Sequence, residues 1–348
     1  MHPVPALLEV QLMTTVRTLR VLLLTGIAAL AIGGCGSGDD SGSETGALTL
    51  GITDAPLDSA SAVVVTFSGV ELKPHGGEAF TIDFTSPKTL DLMTLQGVNR
   101  ALILDGEVVP AGDYQWMRLK VAADPDVAGD SYLQLEADGA QCELRVPSGA
   151  ETGLKLIRGF TVGAGTTTDV TIDFNLRKSV VAPPGQHGGD PLVCGGQAFL
   201  LKPVLRVIDN LEVGTITGRI DPAVISAACP DDQSAPYPGN VYLFGPIATG
   251  ETRTPDDYDG ILDDPNGDDA LTSAMVDPNS FEYTIGFVPA GDYVVAYTCD
   301  IDAVETDADA ADDPVGDDEV VDFVPTNGTL VTVSSDATAV VNVDPPAP

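Results

Sequence analysis

Aromatic residues make up only 5% of this 348-residue chain, and a single one is tryptophan, Trp116. Histidine is rarer still, with His2, His75 and His187 the three present. Lysine and arginine together number 16 against 52 acidic residues, a formal net charge of −36. Each shortage excludes something. A chain this acidic is repelled by the phosphates of DNA and RNA, so no nucleic-acid partner is expected. Scarce aromatics leave little to line a deep sugar cleft, which argues against a glycosidase although carboxylates abound. The sequence has no GxSxG elbow, HExxH helix, P-loop or dinucleotide fingerprint. His75 lies in KPHGGE and His187 in GQHGGD, both of turn composition. A Ser-His-Asp site would have to use one of these two loops, and nothing else points there, so no enzyme is expected and a hydrolase is the most distant reading. No long segment keeps a helical 3.6-residue period.

What is present begins with an N-terminal address. The stretch MTTVRTLRVLLLTGIAALAIGGC carries Arg17 and Arg20, then an apolar run from Val21 to Ile32. That run is shorter than the roughly 20 residues needed to cross a bilayer. Gly33 and Gly34 precede Cys35. The pattern predicts a secretory signal over residues 1–34, with Met13 as the start. AIGGC resembles a bacterial lipobox, which implies that Cys35 is acylated and holds the chain on a membrane. Gly36, rather than Asp, after the anchor implies the outer membrane. The alternative is an ordinary cleaved signal followed by an unpaired cysteine. GSGDDSGSETG then reads as a flexible tether within 35–46, spanning about 18 Å by random-coil scaling.

Five cysteines occur. With Cys35 lipidated, Cys142, Cys194, Cys229 and Cys299 remain, an even number in an exported chain. Two disulfides, Cys142–Cys194 and Cys229–Cys299, are expected, each within one proposed domain. The absence of CxxC spacing makes metal ligation the weaker use of these thiols.

From Ala47 onward short apolar runs alternate with Gly, Pro, Asp and Asn, the signature of strands and turns. In TTTDVTIDFNL, Val170, Ile172, Phe174 and Leu176 fall on one face and Asp169, Thr171, Asp173 and Asn175 on the other. In AVVVTFSGVEL, Val63, Val65 and Phe67 share a face, but Val70 and Leu72 are out of phase by one. A β-bulge at Ser68–Gly69 accounts for the slip. LLKPVLRVID reads as a final strand, NLE as a joint and VGTITGRI as a new first strand, which places a boundary near Asn210. Charge changes there too. Residues 36–210 hold 12 basic and 23 acidic residues, net −11, whereas 211–348 hold 2 and 28, net −26. The sequence VPAGDY occurs at 109–114 and again at 288–293. Its Pro and Gly make a tight turn and its Tyr enters the next strand, so two copies suit the same corner in two sandwiches. A duplicated binding loop is the other explanation.

Two resemblances follow. GTITGRI, NVYLFG, SFEYTIGFVPAGDYVVAYT and ATAVVNV make 211–348 similar to transthyretin-like modules of the carboxypeptidase-regulatory kind. GITDAP, AVVVTFSGVELKP, VPAGDYQWMRLKV, TIDFNLRKSVV and FLLKPVLRVID resemble a bacterial lipoprotein family whose N-terminal domain has no known function. The resemblances imply two sandwiches at a cell envelope and supply no activity. The fold class expected is all-β: two antiparallel β-sandwich domains, 47–210 and 211–348, after a signal and tether.

Two places are candidate ligand sites. In DYQWMRLKV, Met117, Leu119 and Val121 alternate with Trp116, Arg118 and Lys120. With the aliphatic set inward, the second set forms an outer face for an anionic or sugar ligand, or else Trp116 is covered and the cations pair with local acids. In the acidic insert DPNGDD, Asp264, Asn266 and Asp268 have the alternate spacing of an EF-hand loop, but Asp269 stands where Gly is required and Met275 where Glu is required. A solvated acidic surface is the alternative to calcium. No other cofactor is implied. The sequence thus points to a lipid-anchored envelope protein with a non-catalytic binding or scaffolding role, its partner an envelope protein or glycan. A carbohydrate-binding or calcium-assisted adhesion module is the alternative.

Overall fold

In the computed structural model, the described residues are 44–123, 130–146, 153–183, 193–194, 198–229, 238–248, 253–256, 270–300 and 321–345. Cys35, His187, Asp264, Asn266 and Asp268 lie outside them. Residues Ser43–Pro348 form one compact unit.

The chain runs β1 (Thr45–Ala55), β2 (Ala60–Pro74), β3 (Phe80–Asp91), β4 (Ala101–Pro110), β5 (Gly112–Ala122), β6 (Tyr132–Leu135), β7 (Gln141–Arg145), β8 (Leu154–Leu156), β9 (Phe160–Val162), β10 (Thr167–Asn175), α1 (Leu176–Ser179), β11 (Val180–Val181), β12 (Phe199–Leu201) and β13 (Leu205–Asp209). It continues with β14 (Val213–Arg219), α2 (Pro222–Ala228), β15 (Asn240–Ile247), β16 (Ala270–Met275), β17 (Glu282–Pro289), β18 (Gly291–Thr298), β19 (Val324–Val333) and β20 (Thr338–Val340). The protein is all-β. Strands before residue 210 form one sheet in the order β13-β10-β1-β4 and a larger one in the order β11-β12-β7-β6-β2-β5-β8, with β3 on β2 and β9 on β5. Strands after it form β17-β14-β20 and β16-β15-β18-β19.

The sheets are mixed, not purely antiparallel as the short turns suggest. β1 and β10 run parallel, as do β12 with β7 and β14 with β20. In each case the partner strand is remote in sequence, which removes the hairpin constraint that enforces antiparallel pairing. A second difference concerns LLKPVLRVID. It is not one strand: Leu201 ends β12 in the larger sheet and Leu205 begins β13 in the smaller one. Pro203 sits in the gap, where its missing N–H interrupts the ladder.

Each pair of sheets encloses an apolar core. Leu48, Leu50, Ile52, Val63, Val65, Phe67, Val70 and Leu72 are buried together in the first, and Ile216, Val241, Leu243, Tyr283, Ile285 and Val295 in the second. The pairing register of β2 shifts between Phe67 and Gly69, where the apolar phase of the sequence slips. The shift lets Val70 and Leu72 rejoin the core face that Val63 to Phe67 occupy. A third cluster, Tyr242, Phe244, Ala270, Val294, Ala296 and Phe323, covers the other face of the β15–β18 sheet.

The two VPAGDY segments occupy equivalent corners, β4–β5 and β17–β18. The Tyr114 hydroxyl donates to the Pro110 carbonyl at 2.7 Å, and the Tyr293 hydroxyl to the Pro289 carbonyl at 2.8 Å. Asp113 accepts from the Thr161 hydroxyl at 2.7 Å, and Asp292 from the Thr332 hydroxyl at 2.6 Å. Each corner is therefore tied both along the chain and across to a neighbouring strand. The glycines differ: Gly112 takes φ 133°, while only the first copy needs that left-handed freedom.

Candidate functional site

Alternation along β5 buries Met117, Leu119 and Val121 and leaves Trp116, Arg118 and Lys120 on the outer face, each partly exposed. The ring of Trp116 is flanked by cations. The Arg118 guanidinium lies 5.1 Å from its centre and the Lys155 ammonium 4.5 Å. Lys155 reaches it because it pairs across the sheet with Arg118. Arg118 also donates to Glu71 at 2.6 Å and Lys120 to Asp83 at 2.8 Å. The cations thus pair with local acids and the ring face is occupied by side chains of the same sheet.

His75 is exposed in the turn after β2, and its backbone amide donates to the Asp113 carbonyl at 2.7 Å. A disulfide joins Cys142 to Cys194 and another joins Cys229 to Cys299. Both fit a chain exported to an oxidising compartment. Among the described residues, no helix is long and apolar enough to cross a membrane. Among those same residues, no three His, Cys, Asp or Glu side chains are grouped to hold a metal ion.

The polar chemistry missed by sequence reading sits where the strands before and after residue 210 meet. Arg177, from α1, is 4% exposed, and Asp58, from the β1–β2 turn, is 1% exposed. The guanidinium forks onto both carboxylate oxygens at 2.7 and 2.8 Å. Two residues from beyond 210 complete the cluster. The Asn240 amide donates to Asp58 Oδ1 at 2.6 Å, and Arg177 Nε donates to the Ser273 hydroxyl at 3.3 Å. Arg177 also lies over the Tyr242 ring at 5.1 Å. Nearby, the Asn175 amide donates to the Leu271 carbonyl at 3.4 Å. Gly97 and Gly286 bring two backbones so close that a Cβ on Gly286 would overlap the Gly97 carbonyl. The polar side of TTTDVTIDFNL belongs to this region and is not solvated: Thr171, Asp173 and Asn175 are all buried. Asp173 pairs with Arg206 from β13.

Asp54, one residue before the end of β1, is on the core-facing parity of Leu48, Leu50 and Ile52 and is buried. Neither of its oxygens makes a hydrogen bond of normal geometry among the described residues. Burial pushes its carboxyl well above the usual range, and the charges of Asp173 and Asp91 add to this, against the Ala55 amide and Arg177.

On another side of the same junction lies a cleft of about 480 Å³, lined by Val98, Arg100, Asp169 and Asn210 on one wall and Phe287 and Asp336 on the other. Arg100 forks onto Asp169 at 2.7 and 2.8 Å and also donates to the Thr171 hydroxyl at 3.2 Å. The bond to Asp169 holds Arg100 still more firmly protonated than usual. Asn210 donates its amide to Asp169 at 3.0 Å. Asp169 falls on the polar side of TTTDVTIDFNL, but Arg100 is 69 residues away and no local pattern joins the two.

No curated protein matches the chain. Among solved structures, it is similar to a leucine-rich repeat protein from Bacteroides thetaiotaomicron at 14% identity and a TM-score of 0.21, covering 86% of this chain and 26% of that one. It therefore spans about a quarter of that protein's length. A minor pilin of Streptococcus agalactiae is 12% identical over 86% of this chain and 97% of that one, with a TM-score of 0.18. A putative cell adhesion protein from Parabacteroides distasonis is 13% identical over 87% and 95%, also with a TM-score of 0.18. Likenesses this slight carry no argument about fold or function. The family comparison is more direct: over residues 45–192 the chain matches a domain of unknown function, DUF4382.

Proposed function

We propose that this protein is a non-catalytic binding or scaffolding component of the cell envelope, in which two sandwiches act as one rigid body above a lipid anchor at Cys35. The transthyretin-like character of residues 211–348 belongs to the same reading. The observation that carries it is the junction. A buried Arg177–Asp58 pair with Asn240 and Ser273 closing on it from beyond residue 210 is a geometry-specific lock, because leaving either charge without the other is costly. A hinge between mobile domains has the opposite character, a small and wet contact. The lipobox-like AIGGC and the tether after it support the anchor, and the disulfides support export to an oxidising compartment.

Detergent phase partitioning of native envelopes, with mass spectrometry of the mature N-terminus, tests the reading. The intact protein is expected in the detergent phase with an acylated Cys35, and a Cys35→Ser variant in the aqueous phase or as uncleaved precursor. An unmodified N-terminus beyond residue 35 would overturn it.

A further inference from the structure

Phe287 stands in an unusual place. In the β14–β17 ladder Gly214 faces Val288 and Ile216 faces Ile285, so Gly286 and Phe287 together oppose Thr215. This is a β-bulge, and bulges re-aim side chains. Tyr283, Ile285 and Val288 point into the second core, whereas Phe287 belongs to no core cluster among the described residues and lines the cleft instead. The bulge holds it at φ 53°, a conformation that a bulky side chain rarely adopts. Asp336, on the same wall, is left-handed as well, at φ 55°. A bulky side chain held in this conformation at a cleft, outside any core cluster, points to use rather than to packing.

Most of the facing wall is polar. Arg100, Asp169 and Asn210 are joined by hydrogen bonds. The Asn210 Oδ1 atom is buried yet accepts no bond among the described residues. Flipping the amide would turn that oxygen onto the Asp169 carboxylate, so the orientation is fixed and the Asn210 amide holds Asp169 in place. Arg100 is already neutralised by Asp169, and Asp336 lies opposite, so the cleft offers no net positive charge to an anion. Its volume, about 480 Å³, falls in the range of small-ligand sites, roughly 300–1,000 Å³.

We propose that this cleft binds a neutral pyranose unit of a glycan. Such a ring has an apolar C–H face to lie on Phe287 and a rim of hydroxyls to exchange bonds with Asp169 and Arg100. The inference deepens the binding role proposed above and rests on it. It assigns no hydrolysis, since Asp169, one of the two carboxylates on the cleft, is held by Arg100 and Asn210.

The test is saturation-transfer NMR on the intact protein with the methyl glycosides of glucose, galactose and mannose, with N-acetylglucosamine, and with methyl glucuronide as the anionic probe. At least one neutral sugar is expected to bind saturably, and the glucuronide at least about tenfold more weakly, as follows for a charge brought to a site without a counter-charge. Phe287→Gly is expected to remove binding without lowering Tm, because the ring serves no core and glycine accepts its φ. Asn210→Ala, which removes the hydrogen bond that holds Asp169 in place, is expected to weaken binding independently, which keeps the test valid should the first variant fold poorly. No saturation by any neutral sugar, or equal binding by both variants, would overturn the proposal. If Cys35 is acylated but no sugar binds, the sugar assignment falls while the envelope role stands.

Discussion

Arg177 grips Asp58 through two hydrogen bonds of 2.7 and 2.8 Å, with the two side chains only 4% and 1% exposed. Such a pair adds little net stability over an apolar replacement of both partners, but loss of one leaves a stranded charge. Arg177→Leu is therefore expected to cost about 3–5 kcal/mol, measured by chemical denaturation. Arg177→Lys should recover only part of this, because an ammonium cannot fork onto both Asp58 oxygens while also reaching Ser273. Near-equal stability of Arg177→Leu and wild type would remove the lock from the account.

The repeated corner makes a paired prediction. Tyr114 and Tyr293 each donate to a proline carbonyl four residues earlier, so Tyr114→Phe and Tyr293→Phe should each lower stability by about 1 kcal/mol. The ring stays in place in both variants, which isolates the hydroxyl. A clear loss in one and none in the other would show that the two copies do not solve the same problem.

Asp54 ties stability to pH. Its folded carboxyl titrates well above its usual range because burial disfavours the charge. A raised folded value means that the native state holds its proton more tightly than the unfolded chain does. The contribution is full below the unfolded value, about 3.9, and is lost as pH rises through the folded value. Asp54→Asn mimics the protonated acid. Its Tm should match wild type at acid pH and exceed it increasingly toward neutral pH. A constant difference across that range would contradict the assignment.

The acidic second half makes a salt prediction. Residues 211–348 carry 28 acidic and 2 basic residues, so general screening should relieve their repulsion. Calcium and sodium chloride at matched ionic strength are expected to raise Tm of the intact protein similarly. A micromolar, chelator-reversible effect of calcium alone would instead establish a site, with Asp264, Asn266 and Asp268 the first residues to replace.

The sequence made much of this visible, and the reasons differ by region. Period-2 alternation exposed the strands, and a one-residue slip in AVVVTFSGVEL exposed the shift at Phe67–Gly69, because a buried face tolerates no phase error. Outward placement of Trp116, Arg118 and Lys120 followed from the same counting. What stayed hidden is tertiary. Polar residues of TTTDVTIDFNL look solvated in sequence, yet Thr171 and Asp173 are buried beneath partners from other strands. Arg177 and Asp58 are 119 residues apart, and no local pattern joins them. Phe287 reads as one more apolar strand residue, and only the ladder shows that a bulge turns it out of the core.

Differential scanning calorimetry of the intact protein tests most directly whether the strands on either side of residue 210 act as one body. The account predicts a single transition whose calorimetric and van't Hoff enthalpies agree, and its division into two transitions in Arg177→Leu. Two well-separated transitions in the wild-type protein would contradict it.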